Sequence, residues 1–393
     1  MKLNDVVIVG TARTAIGDFM GSLKGLGAVD LGLTAVNGAL KNAGIDSSNV
    51  EELACGNVFK HGQKGNPARQ IQLRAVMNPA SWAYTIDQQC ASGMKAFELI
   101  YESLLLNRIS VGVAIGTESM SNAPYLLFNQ RDGYRMGDNK VIDVLLNDGL
   151  VCAMEGCHMG ITAENLAKEY NITREEQDEL ALLSHTRAIK AQQNGIFKDE
   201  IVPIEIKTKK GVVTVDQDEH PRNISLKKLS NMKPAFTKDG TVTAGNASSI
   251  NDGAAALVMM TAEKASELGL KPLAKVLSTA NIGVEPRIMG IGPVYAIPKS
   301  LESAGLTPDA IDYYEINEAF AAQFIAVNRE LKLNMEKVNA NGSGISLGHP
   351  VGCSGSRIIQ AAINELKRRD GQYGVASLCV GGGPAMSVVI ENI

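Results

Sequence analysis

Two cysteines far apart in the chain each open onto glycine-rich backbone, and one histidine stands in a third glycine-rich turn. Cys90 lies in Gln88-Gln89-Cys90-Ala91-Ser92-Gly93, directly ahead of a predicted helix. Cys379 closes an apolar run and is followed by Val380-Gly381-Gly382-Gly383, and His349 stands in Gly348-His349-Pro350. A thiolate nucleophile, an imidazole base and a second thiol that gives or takes a proton are the groups that make or break a thioester-activated carbon–carbon bond. The expectation is an enzyme.

Each of these residues has a plainer reading beside it. A lone cysteine is usually a small buried hydrophobe. At Cys90 the sharp turn favours a nucleophile, because a helix N-terminus and its free N–H groups lower a thiol's pKa and can hold an oxyanion. Cys55, Cys152 and Cys157 lack such a setting, and Cys353 reads as a packing residue although it is near His349. A lone histidine is more often structural, but His349 sits in a run where Gly342, Gly344, Gly348 and Gly352 admit close backbone approach and Pro350 fixes the turn. Asn317-Glu318-Ala319-Phe320 follows a predicted strand, and its polar pair fits a helix cap as well as a site. Gly381-Gly382-Gly383 fits either a flexible loop or a backbone N–H donor facing an oxyanion.

The elements that must position these groups come from a chain of 393 residues, enough for two or three cores. A hydrophobic fraction of 45% with 20% charged residues is that of a soluble globular protein. The formal net charge of −4 gives no reason to expect nucleic acid. No apolar stretch approaches the roughly 20 residues of a membrane helix, so no membrane partner is expected. Met1-Lys2-Leu3-Asn4-Asp5-Val6 reads as running straight into a strand without room for a targeting peptide, and Ile390-Glu391-Asn392-Ile393 is not a peroxisomal address. Six irregularly spaced cysteines fit reduced thiols in the cytoplasm.

The chain also repeats itself. Leu40-Lys41-Asn42-Ala43-Gly44-Ile45 matches Leu301-Glu302-Ser303-Ala304-Gly305-Leu306 at an offset of 301 − 40 = 261, and Ser92-Gly93 matches Ser354-Gly355 at 354 − 92 = 262. Gly112-Val113-Ala114 matches Gly374-Val375-Ala376 in the same order. Each half alternates strands and helices, which predicts an α/β fold with mainly parallel sheets covered by helices, in two duplicated layers that share their inner helices. Residues 120–249 break the repeat with a polar helix at 173–194 and a lysine-rich hairpin at 207–215, and read as an inserted loop domain. The division expected is 1–119 with 250–270 as the N-terminal half, 120–249 as the insert, and 271–393 as the C-terminal half.

Together Cys90-Ala91-Ser92-Gly93, Asn317-Glu318-Ala319-Phe320, Gly348-His349-Pro350 with Gly352 and Ser354-Gly355, and Cys379-Val380-Gly381-Gly382-Gly383 resemble the thiolase family. The resemblance runs from Arg13-Thr14-Ala15-Ile16-Gly17 to the last strand. His158-Met159-Gly160-Ile161-Thr162-Ala163-Glu164-Asn165 and Thr243-Ala244-Gly245-Asn246-Ala247-Ser248 resemble its short-chain, biosynthetic branch. It implies a five-layered αβαβα fold, a homotetramer, no metal, and no cofactor beyond coenzyme A as substrate and product. Acetyl-CoA, acetoacetyl-CoA and CoA are the small-molecule partners implied.

For the site, the resemblance implies Cys90 as acyl-accepting nucleophile, His349 as its base and Cys379 as acid/base on the second substrate. One oxyanion site would be His349 with a water held by Asn317, and the other the N–H groups of Cys90 and Gly381. CoA would lie over the insert, with Arg222 near the nucleotide and Ala244, Gly245 and Ser248 along the pantetheine. His158 and Met159 would border the reactive end, and Leu150, Phe236, Met289, Ala319 and Phe320 would wall it. A solvated surface arginine is the plainer reading of Arg222. Three departures stand out: Asp87 where the family usually has asparagine, Ala385 where glycine is common, and cysteine at 152 and 157. A ketoacyl synthase would normally carry histidine or asparagine in place of Cys379, a non-catalytic acyl-CoA or lipid binder would have lost Cys90 or His349, and a long-chain thiolase would lack the His158-Met159 signature.

Overall fold

The computed structural model describes residues 5–209 and 211–393. The expected strand entry at Met1–Asn4 and the hairpin residue Lys210 lie outside the described residues. The first half runs β1 (Val6–Arg13), β2 (Gly17–Asp18), α1 (Ala28–Ala43), β3 (Glu52–Gly56), α2 (Pro67–Arg74), β4 (Trp82–Ile86), α3 (Ser92–Leu105) and β5 (Val111–Ser119). Next come β6 (Tyr125–Leu126), β7 (Ile142–Asp143), α4 (Met159–Glu169), α5 (Arg174–Gln193), β8 (Ile204–Thr208), β9 (Gly211–Val215) and α6 (Leu226–Ser230). β10 (Asn251–Thr261) and α7 (Ala262–Glu267) complete the first half. The second half runs β11 (Ala274–Gly283), α8 (Pro293–Ala304), β12 (Tyr313–Ile316), α9 (Ala321–Leu331), α10 (Gly344–Leu347), α11 (Val351–Arg369), β13 (Tyr373–Cys379) and β14 (Pro384–Asn392).

The layering follows from the two-residue period of the strands. In β1, Val7 and Val9 face a core made with α1 and α2, while Val6 and Ile8 face a middle core made with α3 and α11. In β13 and β14 the same alternation sends Ala376, Leu378, Met386 and Val388 to the middle core and Val375 and Val389 to an outer core with α8 and α9. Five layers result: α1 and α2, the first half's strands, α3 with α11, the second half's strands, then α8 with α9. The strands run β12-β13-β14-β11-β1-β10-β5-β3-β4, and the halves meet where β1 pairs β11 through Val7↔Lys275 and Ile8↔Ala274.

The duplication is structural. Gly44 and Gly305 end α1 and α8 in the left-handed conformation, at φ +70° and +71°, which glycine adopts without steric cost. The matched Gly93 and Gly355 let α3 and α11 touch, since a Cβ on Gly355 would lie 2.3 Å from the Met94 nitrogen.

One expectation is corrected. The sheets are mixed: among the paired strands of the described residues, β3–β4, β3–β5 and β12–β13 are parallel and the other pairs antiparallel. The reason is connection length. β13 and β14 are joined through residues 380–383 alone, too few for a crossover, so they must run antiparallel. Their counterparts β5 and β10 also pair antiparallel, and residues 120–250 occupy the place of that short turn.

Candidate active site

Cys90 sits between β4 and α3. Gln89 before it has φ +48°, and the Ser92 hydroxyl closes the turn by accepting from the Gln88 N–H (2.9 Å) and donating to the Gln89 carbonyl (2.7 Å). The sulfur receives the backbone N–H groups of Gly381 and of Cys90 itself. These donors favour a thiolate, as expected of a helix N-terminus, yet burial outweighs them. The thiol is pushed up to about 11, with Asp87 and Glu118 adding in the same direction. The resting group is a thiol that needs a base, which corrects the expectation of a lowered pKa.

His349 precedes α11. Its backbone N–H donates to Asn251 Oδ1 (3.0 Å), and its Nδ1 lies 2.6 Å from Ser354 Oγ. The Ser354 hydroxyl donates to the Pro350 carbonyl (3.1 Å), so it accepts from Nδ1–H and leaves Nε2 as the bare nitrogen. Nε2 is buried and has no protein partner. Burial, aided by Arg357, holds the imidazole down to about 3, so it is neutral and able to accept a proton at physiological pH.

Cys379 ends β13, fully buried, its thiol pushed up first by burial and then by the nearby Cys90. Asn317 follows β12 and is tied by its N–H to the Ser377 carbonyl (3.0 Å), while both polar atoms of its carboxamide are buried without a protein partner. It is not a helix cap, because α9 begins at Ala321 with Phe320 as its cap position. Asn339 brackets the strand end beside it, accepting from Ile316 N–H (2.8 Å) and donating to the Ile316 carbonyl (2.8 Å) and Glu318 (3.0 Å). Cys353 is buried with its thiol pushed up to about 12, and packs as expected.

A cavity of about 400 Å³ opens onto Cys90 and His349, while Asn317 and Cys379 are not on its lining. Cys90, His349 and Gly381 line it with Leu150, His158, Met159, Phe236, Ala244, Met289, Ala319 and Phe320, and with Ser248 and Arg222. His158 caps α4, accepting from the Gly160 N–H (3.0 Å), and stacks on Phe236 at 4.6 Å, which meets Phe320 edge-on at 6.2 Å. The Ser248 N–H donates to the Ala319 carbonyl (3.0 Å), bringing the insert's last loop against the Asn317–Phe320 segment. Cys379 packs behind the wall with Met159, Met289, Ala319 and Phe320.

Two placements differ from the sequence reading. Gly245 does not line the cavity. A Cβ there would meet Leu229 and Met232 at 2.6 Å, so it faces α6 and its following turn. Arg222 is exposed, but it is anchored: its N–H donates to His185 (3.2 Å) and its guanidinium lies 2.9 Å from His220, which pairs with Asp18 at 2.5 Å. Sequence reasoning missed His220, Met120, Ala247, Ser249, Ile250 and Val351 on the lining. Ser249 and Ile250 continue the run from Ser248 and were within reach of that signal; His220 and Met120 carried none.

This geometry has counterparts among known proteins. The descriptions "Thiolase, N-terminal domain" and "Thiolase, C-terminal domain" match residues 6–263 and 270–392. The chain is 49% identical to an acetyl-CoA acetyltransferase of Escherichia coli (strain K12) over 393 residues, all of both chains. It superposes on the structure of an acetyl-CoA acetyltransferase from Syntrophomonas wolfei with a TM-score of 0.98 at 48% identity, covering 100% of each chain. On human mitochondrial 3-ketoacyl-CoA thiolase the TM-score is 0.97 at 41% identity, again over 100% of each. With both family domains matched in order along nearly its whole length, the chain belongs to the thiolase family and is an acyltransferase.

Proposed function

We propose that the protein is an acetyl-CoA C-acetyltransferase that interconverts two acetyl-CoA with acetoacetyl-CoA and CoA through an acetyl-Cys90 intermediate. The observation that carries this is the convergence of the Cys90 thiol, the bare His349 Nε2 and the Gly381 N–H on one largely apolar cavity with Cys379 behind its wall. In thiolysis, His349 takes the Cys90 proton and the sulfur attacks the keto carbon of acetoacetyl-CoA. The carbon–carbon bond breaks, its electrons leave on the acetyl-CoA carbanion, and the Cys379 S–H protonates that carbon. Free CoA then attacks the acetyl thioester, giving the second acetyl-CoA and returning Cys90. Condensation reverses each step, with Cys379 removing the proton. The N–H groups of Cys90 and Gly381 serve one oxyanion, and His349 with a water on Asn317 the other. No metal or cofactor enters this scheme.

The apolar lining suits pantetheine and a short acyl group, and Arg222 at an exposed position suits the nucleotide phosphates. Support for the short-chain reading over a broader 3-ketoacyl-CoA thiolase comes from the higher identity to the acetyltransferases (49% and 48%) than to the human 3-ketoacyl-CoA enzyme (41%). A homotetramer in the cytoplasm is part of the proposal. Exposed Tyr125, Leu127, Phe128, Met136 and Val141 around β6 and β7 are the kind of apolar patch that a second subunit covers. Among the described residues no helix is long and apolar enough to cross a membrane.

Labelled acetyl-CoA tests the chemistry. Cys90→Ser should take up no label, whereas Cys379→Ser should acetylate Cys90 and fail to condense. Undiminished turnover in either variant ends the two-cysteine scheme. Thiolysis rates should fall steeply from acetoacetyl-CoA to medium-chain 3-ketoacyl-CoA; equal rates would favour the broader enzyme.

A further inference from the structure

One charged pair beside the nucleophile has no part in the scheme above. Asp87 stands on the turn from β4 into α3, and its Oδ1 accepts from the Gln89 N–H at 3.0 Å. Its Oδ2 takes the Lys60 ammonium at 2.8 Å. Lys60 lies in the loop after β3, where the same ammonium donates to the carbonyls of Asn57 (3.4 Å) and Val58 (3.3 Å). Glu118, at the end of β5, holds this loop from the other side. It accepts from Asn57 Nδ2 (2.6 Å), Val58 N–H (3.0 Å) and Phe59 N–H (3.1 Å), and also from Gly352 N–H (3.0 Å) in the first turn of α11 beyond His349. The loop that carries Lys60 is thus pinned between the element bearing the histidine and the turn bearing the nucleophile.

We propose that Asp87 and Lys60 act as one positioning pair, in which Asp87 holds the left-handed Gln89 and so the aim of Cys90, while Lys60 cancels the carboxylate charge that would oppose a Cys90 thiolate. The inference rests on Cys90 being the nucleophile. A carboxylate at 87 brings a hydrogen-bond acceptor for the Gln89 N–H and also a negative charge close to the sulfur. Lys60 supplies the compensating charge from the loop after β3, the strand that pairs with β4.

The other charged and titratable groups around Cys90 leave that charge balance to the pair. Glu118 acts on Cys90 in the same direction as Asp87. His349 is neutral, and Cys379 stands protonated behind the wall. Within α3, Lys95 is taken by Glu98 at 2.5 Å. His61, next to Lys60, pairs with Asp148 at 3.2 Å. His158, His220 and Arg222 line the same cavity on the side of the insert.

Both partners are more than a third exposed (37% and 39%), so the pair adds little to stability and its removal leaves the fold intact. The test is alkylation of Cys90 by iodoacetamide in the full-length enzyme, read as rate against pH for the parent, Lys60→Gln, Asp87→Asn and the double variant. Lys60→Gln leaves a bare carboxylate and should slow alkylation about threefold at a given pH, displacing the whole profile to higher pH. Asp87→Asn leaves a bare ammonium and should speed it about threefold, and the double variant should return close to the parent. Lys60→Arg, which keeps the charge, should match the parent, and added salt should shrink every difference because the pair is part exposed. Equal rates across the series, or single variants displaced in the same direction, overturn the proposal. Turnover that survives blocking of Cys90 overturns the proposed function instead, so the two failures are distinguishable.

Discussion

Asn317 holds both polar atoms of its carboxamide in the interior with no protein partner, and the His349 Nε2 is equally bare. A buried polar atom left unpaired costs about 1–3 kcal/mol, and the water proposed to sit on Asn317 would give its carboxamide a partner. Asn317→Ala should be at least as stable as the parent yet lose about 10²–10³ in kcat with KM little changed, as removal of one oxyanion donor does. A kcat within a fewfold of the parent would remove Asn317 from the mechanism. Cys90 gives a second prediction at this scale. Burial raises its acid form's pKa to about 11, so the thiolate fraction rises with pH through the neutral range. Alkylation of the free enzyme should climb about tenfold per pH unit above neutrality; a plateau near neutral pH would mean the thiolate is already formed. Cys90, His349 and Cys379 stood out in the sequence because each lies in or beside a glycine-rich turn that admits close backbone approach, and the first two line the cavity. The Asp87–Lys60 contact was not, since it joins residues 27 apart across parallel strands. Gly245 was placed in the cavity because its neighbours in the motif line it, and adjacent residues in a loop do not share a face.

At the scale of elements, the nucleophile and the base ride on the N-termini of α3 and α11, so the crossing of these two helices sets the distance between them. That crossing depends on Gly355, where a Cβ would meet the Met94 backbone nitrogen at 2.3 Å. Gly355→Ala should push the helices apart, with a stability loss of about 1–3 kcal/mol from overpacking and a fall in kcat larger than unfolding explains. Gly283→Ala makes a fair control, because a Cβ there meets nothing within 4 Å and should change neither quantity. If the Gly355 variant kept full kcat at a lowered Tm, the helix contact would matter for stability alone. Helices and strands were largely legible from periodicity and stop signals, as with Gly44 behind α1 and the polar helix that became α5. Strand direction was not. Alternating βα segments read as parallel, although the short link at residues 380–383 carried a hairpin signal that pointed the other way.

For the whole molecule, the repeat offset revealed two halves and an interruption, but not how the interruption is fastened down. Part of it returns to the first half: Phe197, Ile201, Ile204 and Val215 join the core under α1. At the centre of this contact is Arg13, 1% exposed, which donates to Glu200 at 3.1 Å and to both oxygens of Asp218 at 2.7 and 3.0 Å, with its guanidinium 5.1 Å from the Phe197 ring centroid. Asp218, two residues before the His220–Arg222 cluster at the cavity, also accepts from the Ile16 N–H at 2.8 Å, so the same anchor fixes where the insert meets the site. Breaking a buried pair from one side leaves charges with no partner and costs about 3–5 kcal/mol, whereas removing both sides costs far less. Arg13→Met should accordingly lower stability by that order, open residues 196–220 to limited proteolysis, and raise KM for CoA by loosening Arg222. Asp218→Leu added to Arg13→Met should recover part of the loss, because the remaining carboxylate, Glu200, still has Arg368 at 3.6 Å. An Arg13→Met enzyme that resists protease like the parent would mean that apolar packing alone holds the insert, and that the ion pair fixes its register without supporting its attachment.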